Sequence, residues 1–239
     1  MDLENKHVVI VGAGTGIGRA LAIACAAAGA RVALVGRRRE PLDAVAAELG
    51  GRGAVHAADV TEERAVEALC AALGAFDHLV CTASQTAGGK IGEVALAAAQ
   101  RAIATKLWAP IYLVRHGAPR IARDGSFTFF SGIRGPRPTP GSSITTLVNR
   151  GLEGFARAMA VELGPVRVNV VSPGVVDSGP FWDRLAPDAR AKLFADYAAR
   201  APAGRVGSPD DIAAAALYAM TNPFVTGTVL AVDGGGVLV

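Results

Sequence analysis

The chain has 239 residues, of which 51% are hydrophobic and 19% are charged, so it can bury a large core and is not disordered. A formal net charge of +3 is too small a surplus to indicate a nucleic-acid partner. Apolar runs are broken by charge or glycine well before the roughly 18 residues that a membrane span requires, so no membrane association is expected. The acidic segment 1–5 leads directly into a predicted strand, and no signal peptide is expected.

Cysteine and histidine usage gives two further expectations. Cys25, Cys70 and Cys81 are scattered, odd in number and set in apolar runs, which favours reduced core thiols in a cytoplasmic protein. The four histidines form no pair at metal-ligand spacing and lie near no carboxylate grouping, so no metal site is predicted.

The first 80 residues alternate apolar strands with helices of helical apolar spacing. The strands are predicted over residues 6–11, 31–35, 54–58 and 77–82, and the helices over 19–28, 40–49 and from a Thr61 cap to Leu73. Strands and helices that alternate with short connections indicate a parallel sheet covered by helices on both faces.

The turn after the first strand is dense in glycine. It reads Gly12-Ala13-Gly14-Thr15-Gly16-Ile17-Gly18, and a helix begins at once behind it. The free N–H groups and dipole of that helix point into the turn, and glycine lets a pyrophosphate approach the backbone. The pattern predicts a dinucleotide site, and the alternative is a turn with a purely structural role.

The end of the second strand indicates which nucleotide is preferred. A site that prefers NAD usually has an acid there to bond the ribose 2′-hydroxyl. This chain has Gly36 followed by Arg37-Arg38-Arg39, and a guanidinium can hold a 2′-phosphate through charge-assisted bonds. NADP(H) is therefore favoured over NAD(H), with Arg37 as the candidate, against the alternative of a solvated surface turn.

The second half continues the alternation. Helices are predicted over 95–117, 143–163 and 210–220, and strands over 126–130, 167–171 and 228–232. Residues 178–206 carry Phe181, Trp182, Phe194 and Tyr197 on short helical pieces between prolines. This segment lies beyond a strand's carboxyl end, where open α/β sheets bind ligands, so a mobile substrate lid is predicted over ordinary core packing.

Along its whole length the chain resembles the short-chain dehydrogenase/reductase family. The motifs that carry the resemblance are the glycine turn, Asp59-Val60, Leu152-Glu153-Gly154-Phe155, Val168-Asn169-Val170-Val171-Ser172-Pro173-Gly174, Gly204-Arg205-Val206-Gly207 and Val232-Asp233-Gly234-Gly235. The resemblance implies a single doubly wound Rossmann-like domain with strand order 3-2-1-4-5-6-7 and often a homotetramer. It also implies that Asp59 holds the adenine, and that the Val176 backbone and the Ser178 hydroxyl hold the nicotinamide amide beside Pro173 and Gly174.

The active-site positions depart from the family. Cys81-Thr82-Ala83-Ser84 stands where the family has Asn-Asn-Ala-Gly, and Thr145 and Asn149 stand at the positions of the Tyr-x-x-x-Lys pair. The family's serine falls near Gly132, with Ser131 one position early, and its helix asparagine matches Lys106. A threonine hydroxyl does not titrate near neutrality, so Thr145 is not an acid comparable to the family's tyrosine.

Three functional hypotheses remain open. The first is an NADP(H)-dependent oxidoreductase acting on a small carbonyl, C=C or C=N bond, whose proton donor is Lys106, Ser131 or a water held by Thr145 and Asn149. The second is a catalytically silent NADP(H)-binding sensor, and the third is a subunit that assembles with an active homologue. In the first hypothesis the Lys106 ammonium is expected to bond the Asn149 amide oxygen; the alternative is that Lys106 points to solvent.

Two surfaces complete the expectations. The alanine-rich helices at 95–117 and 143–163 and the apolar end Val237-Leu238-Val239 predict a homotetramer, or a homodimer built on the same helices. Arg134 and Arg137 flank the active-site loop, where they either bind an acidic substrate or are solvated.

Overall fold

Seven parallel strands form one sheet in the order β3-β2-β1-β4-β5-β6-β7, with helices on both faces, as the sequence predicts. The computed structural model describes the backbone of residues 2–239 and the side chains of residues 2–179 and 182–239. The sheet order reverses between β1 and β4, and crevices at such a switch point are where open α/β sheets bind ligands.

The strands are β1 (His7–Val11), β2 (Arg31–Gly36), β3 (Gly53–Ala57), β4 (Phe76–Cys81), β5 (Ile121–Phe130), β6 (Arg167–Pro173) and β7 (Val229–Val232). The helices are α1 (Gly16–Ala27), α2 (Arg39–Glu48), α3 (Glu63–Leu73), α4 (Leu96–Ile103), α5 (Ala109–Gly117), α6 (Ser143–Glu162), α7 (Pro187–Ala198) and α8 (Pro209–Thr221). A π-helix, Ala104–Trp108, joins α4 to α5, and a 3₁₀-helix, Gly179–Trp182, precedes α7.

The core forms two layers because alternate residues of each strand face opposite sides of the sheet. Val8 and Ile10 of β1 pack in the layer under α1 and α8, whereas Val9 and Val11 pack in the layer under α3, α5 and α6. All four side chains are buried. Burial of a valine or isoleucine side chain contributes about 1.5–3 kcal/mol each, so this alternation holds the central strand in its register.

The structure corrects three predicted elements. The single helix expected over 95–117 is α4, the π-helix and α5 in succession. Thr61 does not cap α3; the cap position is Glu62, and the Thr61 hydroxyl donates to Asp59 Oδ1 at 2.8 Å instead. Strand β5 begins at Ile121, five residues before the predicted start, because the chain pairs with Phe76 of β4 before an irregularity in the register.

Within residues 2–239 no helix combines the length and the apolar character needed to cross a bilayer. The three cysteines are buried as free thiols. In the same part of the chain no three His, Cys, Asp or Glu side chains are grouped as metal ligands.

Candidate active site

A cavity of about 480 Å³ opens at the carboxyl ends of the strands, across the switch point between β1 and β4. The predicted site residues that line it are Gly12, Thr15, Gly16, Ile17, Gly18, Arg37, Asp59, Val60, Thr82, Ala83, Lys106, Ser131, Thr145, Asn149, Pro173, Gly174, Val176 and Ser178. Gly14 is the exception. A Cβ atom at Gly14 would lie 3.0 Å from Pro41 Cβ, so this glycine allows α2 to pack against the turn and does not line the cavity.

Close packing against neighbouring backbone and side chains explains the other glycines of the turn. Gly12 has φ +89°, and a Cβ there would lie 2.5 Å from Thr82 Oγ1. A Cβ at Gly18 would lie 2.0 Å from the Gly12 carbonyl oxygen. The Thr82 hydroxyl donates to the carbonyls of Val11 at 3.0 Å and Gly12 at 3.2 Å, so it joins the ends of β1 and β4 where the family has an asparagine.

The amino terminus of α1 has the features of an anion site. Its cap residue Thr15 makes no side-chain capping bond, and the first turn carries no acid. The free N–H groups of a helix start are satisfied by a capping side chain, by water or by a ligand. Because Thr15, Gly16 and Gly18 line the cavity, the residues present fit the pyrophosphate of a dinucleotide.

The three consecutive arginines after β2 differ in their surroundings. Arg37 is exposed and lines the cavity. Arg38 is the cap residue of α2, and Arg39 lies 3.4 Å from Asp43 in an ion pair one helical turn away. Arg37 is therefore the member of the run with a guanidinium available to a ligand in the cavity.

Asp59 is oriented by its own loop. Its Oδ1 atom accepts from the Thr61 backbone N–H at 3.0 Å and from the Thr61 hydroxyl at 2.8 Å. Within the described chain no partner bonds the other carboxylate oxygen. That arrangement fits the recognition of an adenine amino group, which is a hydrogen-bond donor.

Lys106 is buried at the opposite end of the cavity, with 6% of its surface exposed. The π-helix carries it, and the ammonium donates to the Phe130 carbonyl at the end of β5 over 2.5 Å. The predicted bond to Asn149 is therefore wrong, and so is the alternative of a solvated lysine. Burial lowers the pKa of Lys106 to about 8, and interaction with Cys81 acts in the opposite direction.

The three other candidate catalytic side chains have weak partners or none. Asn149 Nδ2 donates to the Gly132 carbonyl at 3.3 Å. Thr145 donates to the Ala87 carbonyl over a long 3.4 Å. The Ser131 hydroxyl is buried and has no hydrogen-bond partner in the described chain. An unsatisfied buried hydroxyl is costly, so Ser131 is available to a ligand.

Two residues of the segment 178–206, Ser178 and Trp182, line the cavity. The indole N–H of Trp182 donates to the Val176 carbonyl at 2.6 Å, which also accepts from the Ser178 N–H at 2.8 Å. Trp182 packs edge-on against Phe194 of α7 with ring centroids 5.2 Å apart. The Tyr197 hydroxyl donates to the Asp233 carbonyl at 2.6 Å. The Phe181 side chain, predicted in the same cluster, lies outside the described residues.

Sequence reasoning missed several features of this cavity. Gln85 and Thr86 line it from the loop after β4, and the position of that loop behind a central strand was the only available signal. The Phe130 carbonyl that holds Lys106 is a backbone atom, which no residue type encodes.

The sequence of the chain is similar to that of known proteins over most of its length. The chain matches the family described as Enoyl-(Acyl carrier protein) reductase over residues 12–236. It is 33% identical over 219 residues to the "Inactive 2-(S)-hydroxypropyl-CoM dehydrogenase 2" of Xanthobacter autotrophicus, covering 87% of this chain and 95% of that protein. It is 30% identical over 215 residues to the 3-oxoacyl-[acyl-carrier-protein] reductase of Bos taurus, covering 87% of each chain.

The fold of the chain is also similar to that of a solved structure. A small-chain dehydrogenase in complex with NADPH superimposes with a TM-score of 0.83 at 30% identity, covering 99% of this chain and 100% of that one.

Proposed function

The chain belongs to the short-chain dehydrogenase/reductase family, and from this premise we propose that it is an NADP(H)-dependent oxidoreductase with Lys106 as proton donor. The substrate is a small molecule with a carbonyl, C=C or C=N bond. The observation that carries the proposal is a buried lysine that lines the cavity at the position of the family's helix asparagine and has a pKa near 8.

The cofactor assignment is supported at three points of the cavity. The uncapped start of α1 suits the pyrophosphate, Arg37 suits a 2′-phosphate, and Asp59 suits the adenine. A related structure of similar fold holds NADPH. Val176 and Ser178 also line the cavity, and they would hold the nicotinamide amide.

The proton transfer assigned to Lys106 balances the reduction. When bound, NADPH supplies the hydride to the substrate carbon. The Lys106 ammonium gives one proton to the substrate oxygen or other acceptor atom, becomes a neutral amine and is protonated again from solvent. At pH 7 a group with a pKa of about 8 is mostly protonated, so the donor is in its acidic form before each turnover.

A second candidate function is a catalytically silent NADP(H)-binding protein. The replacement of the tyrosine and lysine positions by Thr145 and Asn149 favours it, because neither side chain titrates near neutrality. A relative named as inactive has a similar sequence. The hypothesis of a subunit beside an active homologue predicts the same binding but activity only after the homologue is added.

One experiment separates these functions. The purified chain with NADPH is tested against a panel of carbonyls, enones and imines, and NADPH affinity is measured by fluorescence titration. Oxidation of NADPH by any class supports the enzyme. Tight NADPH binding with no turnover in the whole panel rejects the oxidoreductase and supports the catalytically silent NADP(H)-binding protein.

We further infer that residues 178–206 act as a substrate lid on a single domain. Helix α7 has no buried residue, so few contacts hold it on the sheet, while Trp182 reaches the cavity wall. Elements held by few buried contacts open at low cost in free energy, which suits a segment that admits substrate.

The proposed assembly is a homotetramer, or a homodimer built on the same helices. Leu96, Trp108, Leu147 and Val161 on the helical segments between 96 and 162 are exposed, and so is Leu238 near the carboxyl end. Contiguous exposed apolar surface marks association sites. Light scattering at micromolar concentration should give a dimer or tetramer mass, and a monomer mass rejects this assembly. The buried thiols of the three cysteines suit the reducing cytoplasm.

A further inference from the structure

The end of the cavity beside β5 and β6 is positively charged. The charged residues that line the whole cavity are Arg37, Asp59, Lys106 and Arg134. Arg37 and Asp59 follow β2 and β3, on the side assigned to the adenosine. The charges that remain for the substrate are therefore Lys106 and Arg134, both cationic, and among the described residues no acid lines this end.

Arg134 is held in place by its backbone while its side chain is left available. The Thr146 hydroxyl donates to the Arg134 carbonyl at 2.7 Å, and the Gly135 N–H donates to the Gly132 carbonyl at 2.8 Å. The residue is half-buried, yet its guanidinium makes no hydrogen bond and no ion pair within the described chain. Arg137, three residues later, instead donates to the Gly236 carbonyl at 3.0 Å. A half-buried cation without an acceptor is best satisfied by a ligand.

Two acids close to the start of the lid segment are already engaged. Asp177 pairs with Arg190, and Asp183 lies 3.8 Å from the same guanidinium. On the rim, Arg184 donates to Thr86 at 3.3 Å, which adds a further positive charge near the cavity.

The carboxylate of Asp233 is satisfied by backbone N–H groups. Asp233 accepts from the N–H groups of Gly235 at 3.0 Å and Val237 at 2.9 Å. Burial raises the pKa of the Tyr197 hydroxyl, and the positive charges of Arg134 and Arg137 act against that shift.

We propose that the substrate carries an oxyanion, a carboxylate or a phosphate, and that Arg134 binds it. The inference rests on the proposed function, because it names the class of molecule that the cavity accepts: small oxo acids or oxo phosphates. A guanidinium forms paired, charge-assisted bonds to either oxyanion, and half-burial strengthens them relative to bonds in water. The oxyanion bound by Arg134 orients the substrate, while Lys106 remains the proton donor.

Two pairs of probes, each sharing the same reacting ketone and differing in charge, test this assignment with the full chain. Acetoacetate is compared with ethyl acetoacetate, and dihydroxyacetone phosphate with dihydroxyacetone, by KM with NADPH. The Kd for each probe is also measured by calorimetry in the complex with NADP⁺, so that the result does not depend on turnover. The variants are Arg134→Gln, Arg134→Lys and the control Arg123→Gln, an exposed arginine at the start of β5 on the opposite edge of the sheet.

The wild type should bind the anionic member of at least one pair about tenfold more tightly than the neutral member. Arg134→Gln should abolish that preference, Arg134→Lys should retain part of it, and Arg123→Gln should keep it within about twofold. The pair that responds identifies the oxyanion as carboxylate or phosphate. Equal binding of charged and neutral probes by the wild type overturns the proposal, and so does an Arg134→Gln variant that weakens both members equally. Selective binding without turnover supports the oxyanion site, and the enzyme is then rejected only if the panel of carbonyls, enones and imines also gives no turnover.

Discussion

The two ends of the cavity differ in how closely they follow the family. At the end formed after β1, β2 and β3, the glycine turn, Arg37 and Asp59 keep the residue types that a dinucleotide needs. At the end formed after β4, β5 and β6, Thr145 and Asn149 replace the tyrosine and lysine of the family. The lysine found at this end is Lys106, which lies on the π-helix and not on α6.

This difference teaches that binding and proton transfer are separable parts of the site. The dinucleotide end depends mainly on backbone geometry, which close packing at Gly12 and Gly18 enforces. Under the proposed function, the end that holds Lys106 depends on which side chain titrates, so substitutions there should change the chemistry without disturbing the turn. Variants at the two ends should therefore have effects on different measurements.

The largest expected effect is at the catalytic end. Lys106→Ala should lower kcat for the best carbonyl substrate by at least about a hundredfold, since loss of a positioned acid typically costs about 10²–10⁴ in rate. The Kd for NADPH should stay within a few fold, because Lys106 is assigned no contact with the dinucleotide. Steady-state kinetics and fluorescence titration measure the two quantities.

A matched lysine controls for charge and expression. Lys90 is exposed and lies outside the cavity lining, so Lys90→Ala should leave both quantities unchanged. If Lys106→Ala turns over every substrate as fast as the wild type, Lys106 is not the donor and the separation between the two ends is lost.

The pH profile sharpens the same assignment. The pKa of Lys106 is lowered to about 8, so the ammonium form that donates the proton is present below pH 8 and is lost above it. The rate of reduction, followed as kcat/KM, should be flat at neutral pH and fall about tenfold per pH unit above pH 8. Oxidation of the corresponding alcohol requires the neutral amine and should rise over the same range. A reduction rate independent of pH between 6 and 9 would contradict Lys106 as the acid.

The smallest of these effects is at the dinucleotide end. Arg37→Ala should weaken NADPH binding by about tenfold or more and leave NADH binding nearly unchanged, since a hydrogen bond to a charged group contributes about 1.5–3 kcal/mol. Titration of both cofactors measures the difference, and kcat at saturating NADPH should not change. Arg38→Ala is the matched control, because the Arg38 side chain makes no capping bond to α2 and does not line the cavity. Equal affinities of the wild type for the two cofactors would remove the basis for NADP(H).

Most of the fold was predictable because its signals are local and repeated. Apolar, β-branched runs such as the one in β1 alternate with helices of regular apolar spacing, and short connections leave few topologies. The boundaries were less predictable. The start of β5 at Ile121 depends on pairing with Phe76, a contact between distant residues that leaves no mark in the local composition.

The sequence was sufficient to predict many of the residues that line the cavity, but not the hydrogen bonds between them. Many of its residues follow strand ends, so the topology alone brings Arg37, Asp59 and Thr82 to one cavity. The partner of Lys106 is a backbone carbonyl, and choosing between it and Asn149 requires the rotation of the helix that carries the lysine. Gly14 resembles its neighbours in sequence yet serves contact with α2.

The π-helix at Ala104–Trp108 changes the direction in which the side chains of α5 point relative to those of α4. A π-turn holds one residue more than an α-turn, and each residue of an α-helix advances the side-chain direction by about 100°. Ala99 and Ala102 before the turn pack with Val94, whereas Leu113 after it packs against the sheet. Removal of a single residue from this turn would rotate one of the two faces out of register. The extra residue thus lets α4 pack with Val94 while α5 packs against the sheet, and it leaves Lys106 buried between the two contacts.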